Sequence, residues 1–209
     1  AGFIPLSGSG RDIYNFNPGW RYYKGDMERA ETVELDDSDW EVVATPHSVE
    51  LMPAEASGCR NYQGPVWYRK WFVIPAATRG KQVFIHFEAV MGKQKVYLNG
   101  HLVKEHLGGY LPFNIDLTAN GIQAGDSCLI AVMADNSDDK SYPPGKRQYT
   151  LDFSYHGGIY RDVWMIAKSD VSITDAVDAG KVAGGGVFIH YGRISEKKAD
   201  ILIDTEVRN

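Results

Sequence analysis

Cysteine is nearly absent from this sequence: the 209 residues include only Cys59 and Cys128. Two cysteines cannot build the disulfide framework of a small secreted domain, and neither has a His or Cys at the spacing that a zinc site needs. We therefore expect no metal ion and no cofactor. Cys59 is predicted to lie in a loop and Cys128 in a strand, which favours two free thiols. A Cys59 to Cys128 disulfide in an oxidising compartment is the alternative.

Long apolar runs and an excess of positive charge are also missing. No apolar segment approaches the roughly 20 residues that a membrane-spanning helix needs. Lys and Arg number 22 against 27 Asp and Glu, a formal net charge of -5, and no basic cluster is interleaved with aromatic residues. Neither a membrane nor a nucleic acid is therefore expected as a partner. The chain begins at Ala1 rather than Met, so the missing leader says little about export.

A sustained apolar repeat at helical spacing is the third feature that the sequence lacks. Short runs rich in β-branched and aromatic residues alternate with Gly, Pro, Asn and Asp clusters, a pattern typical of strands and turns. In residues 83–87 the odd positions are apolar, as expected for a strand with one face in a core. Asn99-Gly100 predicts a tight hairpin. The predicted strands include residues 66–74, 83–90, 96–98 and 128–133, and many short strands with turn residues between them indicate an all-β sandwich.

Three separated segments carry a more specific pattern. Residues 64–72 read Gly-Pro-Val-Trp-Tyr-Arg-Lys-Trp-Phe, and residues 108–113 read Gly-Gly-Tyr-Leu-Pro-Phe. Residues 151–164 read Leu-Asp-Phe-Ser-Tyr-His-Gly-Gly-Ile-Tyr-Arg-Asp-Val-Trp. In this order they resemble the N-terminal sugar-binding domain of glycoside hydrolase family 2, the β-galactosidase and β-glucuronidase family. The resemblance implies a galactose-binding-like jelly roll as the fold and a carbohydrate, a β-glycoside, as the partner.

The sequence pattern changes after Lys168. Further strands are predicted to begin at Val171, Val187 and Ala199. In members of the family an immunoglobulin-like sandwich of about 100 residues starts here, so the resemblance implies a jelly-roll domain at 1–168 and an incomplete immunoglobulin-like domain at 169–209. It also implies that the catalytic barrel and both catalytic glutamates lie outside this chain. We therefore expect no catalytic residue in it and interpret Glu88 and Glu105 as surface acids.

Asp152 and Asn61 are the candidate sugar-binding residues that the resemblance implies. Asp152 stands where the family has an acid that accepts hydrogen bonds from sugar hydroxyls, and Asn61 matches a family Asn that points at the sugar. A carboxylate accepts such bonds well, and an amide both donates and accepts. Both residue types are also common as loop-capping residues, which is the alternative for each. His156 is a candidate for orienting Asp152, and the tryptophans are interpreted mainly as core residues.

Three functions remain open at this point. The resemblance implies the non-catalytic N-terminal part of a retaining, β-galactosidase-like hydrolase, with one wall of the sugar site built by this chain. A free-standing carbohydrate-binding module and a structural or adhesive β-sandwich are the alternatives. The incomplete second domain favours the first, and its unpaired strand edges predict a homo-oligomer formed through this tail. Many bacterial relatives are exported, so a periplasmic or secreted location is favoured over the cytoplasm. Which glycoside is cleaved is left open.

Overall fold

The computed structural model describes residues 11–52, 61–153 and 155–209, and strands dominate its regular structure. Two single turns of 3₁₀ helix, Ala76–Thr78 and Gln148–Thr150, lie in connections between strands. The all-β class predicted from the sequence is therefore confirmed. The strands are β1 (Asp12–Asn15), β2 (Trp20–Lys24), β3 (Glu41–Val43), β4 (Pro65–Val73), β5 (Gln82–Phe87), β6 (Lys93–Leu98), β7 (His101–Leu107), β8 (Phe113–Asp116), β9 (Ser127–Asp135), β10 (Val163–Lys168), β11 (Ser172–Ile173), β12 (Val187–Ile194), β13 (Ala199–Thr205) and β14 (Val207–Arg208).

Strands β1 to β10 form two antiparallel sheets that make a β-sandwich. The larger sheet has the order β3-β2-β4-β9-β6-β7, and the smaller one has the order β1-β10-β5-β8. Neighbours in a sheet are often distant in the chain: β4 pairs with β9, and β1 pairs with β10. Because paired strands run in opposite directions, the connections between them gather at the two ends of the sandwich.

The hydrophobic core lies between the two sheets. Side chains of a strand point alternately to its two faces, and the inward residues Val83, Ile85 and Phe87 of β5 are 3%, 0% and 0% exposed. This confirms the alternation predicted for residues 83–87. Phe84 points the other way and is also buried, and the Lys168 ammonium lies 4.4 Å from its ring centroid.

An outer layer covers part of the larger sheet and centres on Arg69 of β4. The guanidinium is fully buried and donates to the carbonyls of Ala30, Thr32 and Leu35 at 2.5, 2.8 and 3.2 Å. Its Nε also lies 2.7 Å from the Asp37 carboxylate. Arg69 therefore holds the segment between β2 and β3 over the sheet through three carbonyls and a carboxylate, beside Trp40 and Trp67.

Strands β11 to β14 form two separate two-stranded sheets after β10 ends at Lys168. In the β12 and β13 pair, Val187, Ile189, Ile201 and Ile203 are between 49% and 62% exposed. The tail contacts the smaller sheet of the sandwich, since Asn114 Nδ2 donates to Asp178 Oδ2 at 2.8 Å and Gln82 Nε2 donates to Asp170 Oδ1 at 2.9 Å. The division at residues 168 and 169 stays a prediction.

The structure bears on the state of the thiols and on the presence of membrane-spanning helices. Cys59 lies outside the described residues, whereas Cys128 is a buried thiol in β9 whose pKa is raised to about 12 by burial. Among the residues that the structure describes, no helix has the length and apolar character needed to cross a membrane.

Candidate functional site

Four connections meet at one end of the sandwich, and we call this end the loop cluster. It contains the described residues of 44–64, 88–92, 108–112 and 136–162. Backbone hydrogen bonds join these segments: Val49 N–H donates to the Gly157 carbonyl at 3.1 Å, and Met91 N–H donates to the Gly158 carbonyl at 3.0 Å. The Tyr160 hydroxyl donates to the Gly109 carbonyl. The loop cluster carries both candidate sugar-binding residues.

Asn61 is partly buried and lies four residues before β4. Its Nδ2 donates to the Tyr155 carbonyl, which connects the segment before β4 with the segment before β10. Its Oδ1 is buried and has no hydrogen-bond partner among the described residues. The Asn61 amide therefore donates one hydrogen bond to the protein, while its oxygen accepts none from a described residue.

Asp152 is exposed and lies directly after the 3₁₀ turn Gln148–Thr150 and Leu151. Within the described part of the chain no hydrogen bond or ion pair reaches its carboxylate, so its oxygens are free to accept bonds from a ligand. Asn61 and Asp152 are brought to the same loop cluster because Asn61 binds Tyr155, three residues after Asp152.

The Gly157-Gly158 turn fixes the backbone that follows Asp152. Gly158 has a φ of +91°, and a Cβ at this position would collide with the Tyr68 hydroxyl. That hydroxyl lies 2.9 Å from His47 Nδ1, and burial lowers the pKa of the His47 imidazole. The turn can approach the buried Tyr68 hydroxyl so closely because it has no side chain there.

Gln148 and Asn136 support the same loop from inside. Gln148 is 3% exposed and donates from Nε2 to the Asn136 carbonyl at 2.8 Å, while the Asn136 side chain donates to the Tyr62 carbonyl at 2.8 Å. Gln148 Oε1 is buried without a partner among the described residues. The sequence analysis missed both residues. Asn136 binds Tyr62 and Gly64, 74 and 72 residues earlier in the chain, and the bond of Gln148 to Asn136 lies within an irregular connection, so no periodic spacing signals either contact.

His156 does not orient Asp152 through a direct contact. Its Nδ1 lies 3.1 Å from the Ser48 hydroxyl, which belongs to the segment after β3. Glu88 is partly buried and accepts a hydrogen bond from Trp164 Nε1 at 2.9 Å, and Glu105 is exposed with its carboxylate 3.8 Å from Lys95 Nζ. The prediction of a surface acid is thus confirmed for Glu105, whereas Glu88 is held by an indole.

Aromatic residues of two kinds lie in the sandwich. Trp20, Trp40 and Trp67 are 0%, 6% and 5% exposed, as expected for core residues. Trp71 is 50% exposed, so the prediction of core packing is wrong for it. It occupies an outward position of β4, on the face that carries Trp67 and Arg69 and away from the sandwich core. In the loop cluster itself Tyr110, Tyr149 and Phe153 are 41%, 45% and 45% exposed.

A metal centre has no candidate in the described ranges, where no group of three or more His, Cys, Asp or Glu side chains is placed to hold an ion. What the loop cluster offers is an exposed carboxylate and a buried amide oxygen, both hydrogen-bond acceptors, beside exposed aromatic rings. Acceptors of this kind pair with hydroxyl donors, and aromatic rings present apolar surface to a ligand.

Comparisons of this chain with a family model and with known proteins point to the same family. The model described as "Glycosyl hydrolases family 2, sugar binding domain" matches residues 15–169. A β-galactosidase from Thermoanaerobacter pseudethanolicus is 36% identical over 198 residues, which are 95% of this chain and 25% of the relative. A β-glucuronidase from Formosa agariphila is 32% identical over an alignment of 218 positions, gaps included, which covers 98% of this chain and 22% of the relative. The chain thus spans about a quarter of the length of these curated relatives.

Solved structures agree with these relatives. Bacteroides uniformis β-glucuronidase 2, solved with covalently bound cyclophellitol-6-carboxylate aziridine, superposes with a TM-score of 0.80 at 30% identity. That match covers 95% of this chain and 22% of the other. A second β-glucuronidase from glycoside hydrolase family 2 gives a TM-score of 0.77 at 30% identity, covering 98% of this chain and 22% of its own.

Proposed function

The chain belongs to glycoside hydrolase family 2, and we propose that it forms the non-catalytic, sugar-binding part of a retaining β-glycosidase of that family. Retention requires two carboxyl groups about 5 to 5.5 Å apart. Glu88 accepts a bond from Trp164 and Glu105 faces Lys95, which supports assigning neither of them to catalysis. In this proposal both catalytic carboxyl groups belong to a domain outside residues 1–209.

One observation carries the proposal: the loop cluster holds two acceptors, from two different connections, to which no described residue donates. The Asp152 carboxylate is exposed, and Asn61 Oδ1 is buried and unpaired among the described residues. A buried acceptor left without a donor costs about 1 to 3 kcal/mol, and a hydroxyl group that donates to it would remove this cost. A sugar offers several hydroxyl donors on one rigid ring, which matches two fixed acceptors.

The role of these residues is to bind and orient the sugar. An ionised carboxylate makes charge-assisted hydrogen bonds that are roughly twice as strong as bonds between neutral groups. Asp152 therefore supplies the stronger contact and Asn61 the weaker one. Because both sit on loops anchored by backbone bonds to the sandwich, they form one wall of the site against which a sugar is held for chemistry supplied elsewhere.

A neutral galactoside is the substrate that we propose. The acceptors of this wall suit hydroxyl groups, and the negative charge of Asp152 disfavours a sugar that carries its own carboxylate nearby. The β-galactosidase from Thermoanaerobacter pseudethanolicus is more similar to the chain than the β-glucuronidase from Formosa agariphila, at 36% against 32% identity. Glucuronides are the competing substrate class.

The 209-residue chain by itself provides the first test. With a nitrophenyl β-galactoside we expect no turnover, since double displacement needs two carboxyl groups that the proposal places elsewhere. Calorimetry with free galactose should give a Kd weaker than about 1 mM, because one wall offers a monosaccharide few contacts. Turnover that is lost on changing an acid of this chain would contradict the proposal, and micromolar binding would favour a free-standing carbohydrate-binding module.

A further inference from the structure

Residues 47–50, which we call the strap, lie between the two segments that carry the candidate sugar-binding residues. On one side the strap binds the turn after Asp152. His47 N–H donates to the Ile159 carbonyl at 2.8 Å, and Val49 N–H donates to the Gly157 carbonyl at 3.1 Å. The Ser48 hydroxyl lies 3.1 Å from His156 Nδ1. Three consecutive residues of the strap are thus bound to residues 156–159.

On its other side the strap binds the residue next to Asn61. Glu50 Oε2 accepts a hydrogen bond from Tyr62 N–H at 2.9 Å, and Glu50 Oε1 lies 2.6 Å from Lys24 Nζ. The Lys24 ammonium is also 4.9 Å from the centroid of the Tyr62 ring. Glu50 therefore fixes the peptide group that joins Asn61 to Tyr62, and Lys24 holds Glu50 in place from the adjacent strand β2.

A third contact closes the arrangement. Asn61 Nδ2 donates to the Tyr155 carbonyl, so the segment at 61–62 and the segment at 155–159 are joined to each other as well as to the strap. The direction of Asn61 Oδ1 depends on both of its anchors, the Tyr155 carbonyl at the side chain and the Tyr62 N–H at the backbone. The Tyr62 N–H is held by the Glu50 side chain, which can be changed without altering Asn61 or the loop of Asp152. The other anchor is a main-chain carbonyl of that loop.

We propose that Glu50 is a positioning residue of the sugar site: its carboxylate holds the Tyr62 N–H and so sets the direction of the Asn61 amide oxygen. This inference rests on the proposed function, because the position of Asn61 matters only if Asn61 contacts the sugar. A displacement of about 1 Å in a group that orients the substrate can lower the rate up to 100-fold. Glu50 itself touches no substrate in this proposal.

The variants at position 50 separate the two bonds of the carboxylate. Glu50→Ala removes both bonds. Glu50→Gln keeps an oxygen for Tyr62 N–H and loses the charge that faces Lys24. Lys24→Met removes the ion pair and the contact of the ammonium with the Tyr62 ring, and leaves both oxygens of Glu50 in place. Glu50→Asp keeps the charge on a shorter side chain and serves if Glu50→Ala does not fold. Glu34→Ala is the matched control, since Glu34 is an exposed acid 3.8 Å from Arg29 in the outer layer.

The experiment measures kcat/KM for a nitrophenyl β-glycoside in the complete β-glycosidase that contains this chain. We expect Asn61→Ala to lower kcat/KM by about 10- to 100-fold, since the variant loses one neutral hydrogen bond and leaves the sugar hydroxyl without its acceptor. Glu50→Ala should lower it about 10-fold, Glu50→Asp about fivefold, and Glu50→Gln and Lys24→Met less than threefold. Glu34→Ala should leave it unchanged.

The decisive readout is a double-mutant cycle. If Glu50 acts through Asn61, Glu50→Ala should change kcat/KM less than twofold when Asn61→Ala is already present. Effects that multiply in the double variant would overturn the inference, because a general loss of stability acts in either background. A normal Asn61→Ala enzyme would remove Asn61 from the site and the role of Glu50 with it, while the assignment of Asp152 would stand on its own variant. A large Asn61→Ala effect beside a silent Glu50→Ala overturns the positioning role alone.

Discussion

At the scale of single residues, Asp152 is distinguished from other acids of its loop by its lack of a partner. Asp138 accepts the Gln148 N–H and Asp139 lies 2.6 Å from Lys93 Nζ, whereas the Asp152 carboxylate binds none of the described residues. Removing an acid that holds its own loop costs stability, but removing Asp152 leaves the loop bonds intact. Its substitution should therefore affect ligand binding and leave folding nearly unchanged.

Asp152→Ala in the complete enzyme should lower kcat/KM by about two to four orders of magnitude. A charge-assisted bond to a sugar hydroxyl that strengthens in the transition state supplies several kcal/mol. Steady-state kinetics with a nitrophenyl β-galactoside measures the change, and Glu105→Ala on the exposed strand β7 is the control. Normal kinetics together with normal stability would remove Asp152 from the site.

Lys70 gives the folded chain a pH dependence of its own. The side chain is buried in the sandwich, donates to the Phe16 and Pro18 carbonyls at 2.6 and 2.9 Å, and has a pKa lowered to about 7 by burial. An unfolded lysine has a pKa near 10.4. Between about pH 7 and 10 the unfolded chain therefore binds more protons at this residue, and stability rises with pH.

We expect the free energy of unfolding of the 209-residue chain to rise between pH 7.5 and 9.5, by up to about 1.4 kcal/mol per pH unit from this group. Lys70→Met should remove this slope whatever it does to stability at one pH. Urea denaturation at several pH values tests it, within a range below the titration of the tyrosines. Equal slopes in both chains would mean that Lys70 keeps an ordinary pKa.

The candidate site shows which residues a sequence can reveal. Asp152 and Asn61 were predicted from their position relative to family motifs, and the structure brings both to the loop cluster, while their contact with a sugar stays a prediction. Gln148 and Glu50 were missed, because each acts through contacts across the fold: Glu50 binds Lys24 and Tyr62 from a segment with no strand or helix pattern. Hydrogen bonds between loops leave no periodicity in the sequence, so residues of this kind are found only in the folded chain.

At the scale of elements, the outer layer is a segment without regular structure that depends on one strand residue. Arg69 donates to three carbonyls of residues 30–35 and pairs with Asp37. Arg69→Met should lower the free energy of unfolding by about 3 kcal/mol, because it leaves the Asp37 carboxylate and three carbonyl groups of the outer layer without their donor. Chemical denaturation of the 209-residue chain measures the loss.

Arg21→Met is the control for this prediction. Arg21 reaches the same segment through longer bonds, 3.4 Å to the Ser38 carbonyl and 3.3 Å to the Trp40 carbonyl, and is partly exposed. Arg21→Met should lower the free energy of unfolding by less than about 1 kcal/mol, because contacts of a partly solvated charged side chain contribute little. Comparable losses in the two variants would contradict the central role of Arg69.

The predicted strands and the missed strands differ in length and position. The runs at 66–74, 83–90 and 128–133 correspond to β4, β5 and β9, which lie inside the sheets and are buried enough for apolar alternation to be visible. β1, β2 and β3 were not predicted. They have 4, 5 and 3 residues, so each pattern is too short to recognise, and β1 and β3 also lie at sheet edges.

At the scale of the whole molecule, the tail adds apolar surface that the sandwich does not cover. Strands β12 and β13 leave Val187, Ile189, Ile201 and Ile203 about half exposed, and both strands are sheet edges. Exposed apolar faces and open edges favour association with another chain. We propose that copies of the 209-residue chain associate through this tail.

Deleting residues 170–209 should leave a folded sandwich that sediments as a monomer, whereas the complete 209-residue chain should show a heavier species at high concentration. The sandwich has its own core between its two sheets, and the contacts at Asn114 and Gln82 that the deletion removes are exposed. Sedimentation and circular dichroism give the two readouts. Loss of folding would show that the tail is integral to the first domain and that the boundary at 168 is misplaced.

The pairing of β1 with β10 determines when the sandwich can close during synthesis. Among the described strands, the edge strand β1 has β10 as its neighbour, and Asn17 Nδ2 donates to Asp162 Oδ1, 145 residues later in the chain. Since a ribosome adds about 5 to 20 residues per second, β1 is made several seconds or more before its partner strand. For that time Tyr14 of β1, which is 6% exposed in the folded chain, lacks the cover of the sandwich, so the smaller sheet is completed only after β10 has been made.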